Sequence, residues 1–110
     1  MGEIIRVKKW EDFKKLAILH HPKSIVYNMQ RSPLSKPPVG LRLMFPHGEK
    51  QYVFIDFAAG KKLKQTEIPV VKHSNGEEYV RDEDVKQFII KEFGRDDLLI
   101  ICPVWRLEFY

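Results

Sequence analysis

The sequence predicts an α+β fold: one domain over residues 1–110, with a mixed, mostly antiparallel sheet of about five to seven strands and two principal helices, about 10–20 and 83–93. Three observations carry that expectation. Between Val39 and Ala58, Leu41, Leu43 and Phe45 alternate with other residues, then Pro46, His47 and Gly48 intervene, then Val53, Ile55 and Phe57 alternate again. Period-2 runs joined through a glycine-bearing connection are the mark of a β-hairpin. Two other stretches place apolar residues at helical spacing: Trp10, Phe13, Leu16 and Ala17, then Val85, Phe88, Ile89 and Phe93. Short apolar runs bounded by proline or glycine fill most of the remainder, and a chain of 110 residues is long enough for one core without covalent staples.

In chain order, Glu3 to Lys8 is expected as a strand, with Ile5 and Val7 inward. Trp10 to His20 follows as a helix, with Glu11 and Asp12 in the first turn, where acids suit the helix dipole, and Pro22 as its stop. Ser24 to Gln30 is a second strand, completing a β-α-β unit. Arg31 to Pro38, with three prolines and no periodicity, is a surface loop and a candidate partner-binding loop. The hairpin comes next. Placing Phe45 opposite Gln51 gives one wholly apolar face, Leu41, Leu43, Phe45, Val53, Ile55 and Phe57, so that register is favoured. It makes Arg42 and Asp56 diagonal neighbours on the other face, beside Tyr52 and Phe54. A structural ion pair is favoured there over a site carboxylate held by an arginine.

Ala59 to Gln65 is expected as a lysine-rich loop. Its single Gly60 falls short of a phosphate-cradling motif. Glu67 to Val80 is a shorter hairpin turning at Asn75-Gly76, with Val71 opposite Val80. Asp82 is the expected N-cap of the second helix and Gly94 its stop. Leu98 to Cys102, apolar throughout, is expected as a strand buried on both faces, with Cys102 an inert core thiol. Val104 to Tyr110 resumes a strand pattern through Trp105, Leu107 and Phe109.

Composition narrows the function classes. One cysteine excludes an intramolecular disulfide and any multi-cysteine site. None of the four histidines, His20, His21, His47 and His73, is paired at the i, i+4 spacing of a helical zinc site, so neither metal nor other cofactor is expected. No apolar run approaches a membrane span, and no leader is visible at the N-terminus, so a cytoplasmic protein with no membrane partner is expected. Plentiful Lys, Glu and Ile with few Asn and Gln lean towards thermophile usage. The formal charge of +4 is uneven: Lys23 to Thr66 holds eight basic residues against two acidic, and Glu67 to Asp97 holds five against nine.

These features lead to a non-enzymatic binding protein. Nucleic acid, RNA before DNA, is the expected ligand, with Arg31, Lys36, Lys61, Lys62 and Lys64 on phosphates and Tyr52 and Phe54 as stacking platforms. A second reading is an assembly subunit, most simply a homodimer, using the apolar C-terminal strand with Trp105, Leu107, Phe109 and Tyr110. A third is an enzyme with Asp56 and Arg42 at its site. No nucleophile elbow is present, and Glu67, the next acid after Asp56, is followed by Ile68 and Pro69, so the acid–x–lysine pair that a metal-dependent nuclease needs on the next strand is missing.

Overall fold

The computed structural model describes residues 2–30, 39–74 and 76–103. The elements in chain order are β1 (Glu3–Val7), α1 (Trp10–His20), β2 (Ser24–Gln30), β3 (Gly40–His47), β4 (Lys50–Ala59), β5 (Lys62–Leu63), β6 (Val71–Lys72), β7 (Glu78–Tyr79), α2 (Asp82–Phe93) and β8 (Leu99–Ile101). The main sheet has the order β1-β4-β3-β2-β8, with β5 added to β4, and β6 and β7 form a separate ribbon. The β1–β4 and β2–β8 pairs are parallel, and β2–β3, β3–β4 and β4–β5 are antiparallel. The expected α+β class and its two helices are therefore present. The β-α-β unit is split: β1 and β2 run the same way with the β3–β4 hairpin between them.

Both helices lie on one face of the sheet. Trp10, Phe13 and Ala17 of α1 and Val85 and Ile89 of α2 are buried. They meet Ile25, Tyr27, Leu41, Leu43, Phe45 and Phe54 in one core cluster. Trp10 is the hub, with ring centroids 5.1–5.9 Å from Phe13, Phe54, Phe88 and Phe93 in tilted contacts. Its indole Nε1–H donates to Glu92 Oε1 at 3.2 Å, and Lys14 Nζ reaches the same oxygen at 3.1 Å, tying α1 to α2. Gly94 ends α2 at φ 60°, its N–H bonded to the Ile90 carbonyl. The α2 N-cap is Arg81, not the expected Asp82. Asp82 is instead drawn away to accept the Tyr27 hydroxyl at 2.9 Å.

The central hairpin is paired as expected, but one residue out of the expected register. Phe45 faces Tyr52, Leu43 faces Phe54 and Leu41 faces Asp56. The turn decides this. His47 pairs with Lys50, which leaves a two-residue loop of Gly48 and Glu49, with Gly48 at φ 61°. A type II′ hairpin turn needs glycine at that first central position. The apolar pattern alone favours Val53, Ile55 and Phe57 inward, but a one-residue slip sends them to the opposite face. Tyr52 and Phe54 consequently turn towards the helices, Phe54 fully buried, and are not stacking platforms. Arg42 and Asp56 fall on opposite faces, so the expected ion pair is not formed.

Other expectations are corrected in the same way. The lysine-rich loop contains a tight β4–β5 turn, in which Ala58 pairs with Leu63 and Ala59 with Lys62. The second hairpin pairs Val71 with Tyr79 and Lys72 with Glu78, again one residue from expectation, and Asn75 of its turn lies outside the described residues. Residues 99–101 form a strand at the sheet's edge rather than its centre, so Leu99 is 60% exposed and Cys102 is exposed rather than a core thiol. The expected strand over 104–110 and the proline-rich loop over 31–38 lie outside the described residues.

Candidate functional site

The face of the sheet turned away from the helices is the candidate site. Strand alternation assigns it Ile4 and Arg6 on β1, Val53, Ile55, Phe57 and Ala59 on β4, Arg42 and Met44 on β3, Val26 and Asn28 on β2, and Leu99 and Ile101 on β8. The middle of this face is closely packed, with Val53 and Asn28 buried and Val26, Met44 and Ile55 half-buried, although Val53 stands apart from the core cluster. Ile4, Leu99, Phe57 and Ile101 are all exposed. Among the described residues, no helix or strand packs on this side. Large apolar side chains left exposed on one surface commonly mark a binding region.

The charged residues that the described strands place on this face have one sign. Because β3 occupies one edge of β4, β1 and β5 share the other. Leu63 points into the core, so its neighbours Lys62 and Lys64 point outward with Ala59 and Phe57. The Lys64 N–H donates to the Phe57 carbonyl at 2.8 Å, which sets Lys64 directly across from Phe57. Arg6 stands across from Val53 further along the same edge. Arg6, Lys64 and Lys62 thus form a cationic column beside the apolar column Val53, Ile55, Phe57. Arg42 adds a fourth cation, its Nε–H donating to Asn28 Oδ1 at 3.2 Å. No carboxylate is among the outward residues of the described main-sheet strands. Glu67 reaches in from the following loop to pair with Lys62 at 3.3 Å.

This basic turn is held rigidly from behind. Asp56 is 1% exposed, and its carboxylate accepts from the backbone N–H groups of Phe57 (3.0 Å), Gln65 (3.0 Å) and Thr66 (2.8 Å) and from the Thr66 hydroxyl (2.9 Å). A buried carboxylate is tolerated when its lone pairs are filled in this way. Gln65 then bridges to the first helix: its Oε1 accepts the Trp10 N–H at 2.8 Å and its Nε2 donates to the Lys8 carbonyl at 3.0 Å. Lys9, the α1 N-cap, supplies no side-chain cap, so Gln65 satisfies one of the helix's open donors from across the fold. Asp56 is therefore a positioning residue for the lysine turn.

Of the residues singled out from sequence, Lys61, Lys62 and Lys64 come together at this turn, all exposed. Arg31 and Lys36 lie outside the described residues. Arg42 joins the cationic face without Asp56, which removes the geometric basis for a paired catalytic site. Arg6 and Phe57 were missed. The signal that finds them is Gly48: a two-residue turn at that glycine turns Phe57 outward, and the parallel pairing of β1 then adds Arg6 beside it.

Elsewhere, an open cleft of about 500 Å³ at the start of α2 is lined by Met29, Tyr79, Val80, Arg81, Asp82, Glu83 and Lys86. Its charges are already engaged in part, Arg81 with Asp84 at 2.9 Å and Asp82 with Tyr27. Among the described residues no three His, Cys, Asp or Glu side chains converge on a point where a metal ion would sit. No helix among them is long and apolar enough to cross a membrane. Comparison with known proteins gives no match to a family model, a curated protein or a solved structure.

Proposed function

We propose that this protein binds nucleic acid, RNA before DNA, on the helix-free face of its sheet. The supporting observation is the single-sign surface: Arg6, Arg42, Lys62 and Lys64 flank an apolar face whose described strands contribute no carboxylate. Phosphate backbones are drawn to such a field, and the released counterions supply much of the affinity. RNA is favoured because the cations lie on a sheet face that carries no described helix. Neither helix projects from it to enter a DNA major groove, whereas RNA is commonly read on open sheet surfaces.

Binding of a labelled oligoribonucleotide, followed by fluorescence anisotropy across a salt series, tests this. Affinity is expected to fall linearly on a log–log plot. The Arg6→Gln/Lys64→Gln double variant is expected to lower the slope by roughly 1.4, about 0.7 for each phosphate no longer neutralised. A flat salt response, or no binding at low salt, counts against the reading.

A second reading rests on a separate observation. Among the described residues β8 is a three-residue strand at the end of the sheet, with Leu99 and Ile101 exposed, and an edge of that kind is one on which a second copy can pair. The aromatic residues Trp105, Phe109 and Tyr110 that sequence assigns to such an interface lie outside the described residues. Light scattering at high protein concentration discriminates: a monomer removes this reading.

A further inference from the structure

The geometry points to an unpaired strand as the ligand of this face, lying along β4 with its phosphates on the Arg6–Lys64–Lys62 column and a base on Phe57. The inference rests on the nucleic-acid reading above and names the form of nucleic acid. A single strand has two edges of opposite character, charged phosphates on one side and π-faced bases on the other. The candidate face has the same division. Its cations lie along one edge of β4, and its apolar residues lie on β4 itself.

Arg6 and Lys64 stand opposite Val53 and Phe57, four residues apart on β4 and hence roughly 13 Å apart along the strand. Phe57 is 40% exposed and sits directly across from Lys64. A base stacked on that ring therefore leaves its own phosphate within reach of the ammonium. Stacking on an aromatic ring tolerates any base, because every base has a π-face.

A duplex fits this face poorly. Its bases are already stacked inside, and its two phosphate rails would meet one cationic column and an apolar expanse of Ile55, Met44 and Val26. That contact desolvates apolar surface against charge without pairing it. The anchored turn adds preorganisation: Asp56 and Gln65 fix the lysine-bearing segment before any ligand arrives, so little ordering entropy is spent on binding.

The test compares a 12-residue oligouridine with an RNA duplex of equal length, across the same salt series, against the native chain, Phe57→Leu and Phe57→Tyr. Leucine keeps the apolar bulk and removes the π-face, and tyrosine keeps the π-face. Oligouridine is expected to bind more tightly than the duplex. Phe57→Leu is expected to weaken oligouridine by roughly 5- to 100-fold with the salt slope unchanged, and Phe57→Tyr to bind as the native chain does. Circular dichroism melts check that both variants fold, and the comparison of oligouridine with duplex on the native chain remains decisive if leucine unfolds it. Equal or tighter duplex binding, or an unchanged Phe57→Leu, overturns the single-strand inference and leaves the cationic face standing. Absence of binding to both ligands overturns the nucleic-acid reading itself.

Discussion

Asp56 shows how one residue fixes the geometry of a surface it does not belong to. Its carboxylate is buried beneath the sheet and satisfied by three backbone N–H groups and one hydroxyl. Asp56→Ala leaves those donors facing a void and is expected to cost about 3 kcal/mol, since each bond to a charged acceptor is worth about 1.5–3 kcal/mol and partial relaxation recovers some of the loss. Thr66→Val removes only the hydroxyl bond and is expected to cost about 1–2 kcal/mol. Arg42→Ala, on the opposite face with Asn28 as its partner, is expected to cost less than about 1 kcal/mol. Urea unfolding of the three variants checks the ordering. Equal large losses for Asp56→Ala and Arg42→Ala would restore the ion pair. The presence of a charge at position 56 is plain in the sequence, but its partners are not. Backbone donors leave no trace in composition, and the only cation nearby in a plausible register was a false partner.

At the scale of elements, what repeats locally was legible and what depends on a single turn was not. The limits of α1 and β2 follow from helical spacing, Pro22 and the apolar run that succeeds it. Both hairpins were located correctly and both were misregistered by one residue. A period-2 pattern fixes that alternate residues share a face, but the loop length decides which set faces the core. In the β3–β4 hairpin both candidate faces are rich in apolar residues, so the pattern could not arbitrate, and Gly48 did. Edge position is equally invisible: Leu98 to Cys102 is apolar enough for a central strand, yet nothing in its own residues says that β8 comes last among the described strands of the sheet. The β4–β5 turn offers a direct test of turn chemistry. Gly60 has φ 75°, and a methyl group added there would meet no atom within 4 Å. Gly60→Ala therefore costs only the left-handed backbone, about 1–2 kcal/mol. Gly60→Asn is expected to recover part of that cost, because asparagine tolerates this region better than alanine. Thermal melts of the two variants check the ordering. Alanine melting no lower than the native chain would show that the turn is free to change its geometry.

Across the whole molecule, α1 is held at its two ends, to α2 at its start and to the β3–β4 hairpin at its finish, with different acid responses. At one end Glu92 receives Lys14 and Trp10. Burial pushes its carboxyl upward, but those hydrogen bonds and the lysine charge outweigh it, so its pKa lies below the ordinary value. At the other end, the C-terminal turn of α1 rests on the tip of the β3–β4 hairpin through His20. Its imidazole stacks on His47 with centroids 3.7 Å apart and lies nearly parallel to Tyr52 at 5.7 Å. Desolvation first, then the neighbouring His47 and Lys50, hold the His20 pKa below its ordinary 6.5. The folded chain therefore binds this proton less readily than the unfolded chain. The resulting stability is fully present above pH 6.5 and is lost as pH falls from 6.5 towards the folded pKa. Glu92 acts in a lower window. Its depressed pKa contributes stability that is present above its ordinary value of 4.5 and lost as pH falls through the folded pKa. Acid is thus expected to loosen the hairpin tip before it loosens the contact between the helices. Urea midpoints measured from pH 8 to pH 3 for the native chain, His20→Gln and Glu92→Gln separate the two. His20→Gln is expected to flatten the decline that begins as pH falls below 6.5 and leave the drop below 4.5 intact, and Glu92→Gln to do the reverse. A His20→Gln profile parallel to the native one as pH falls below 6.5 would show that protonation of this stack does not oppose folding.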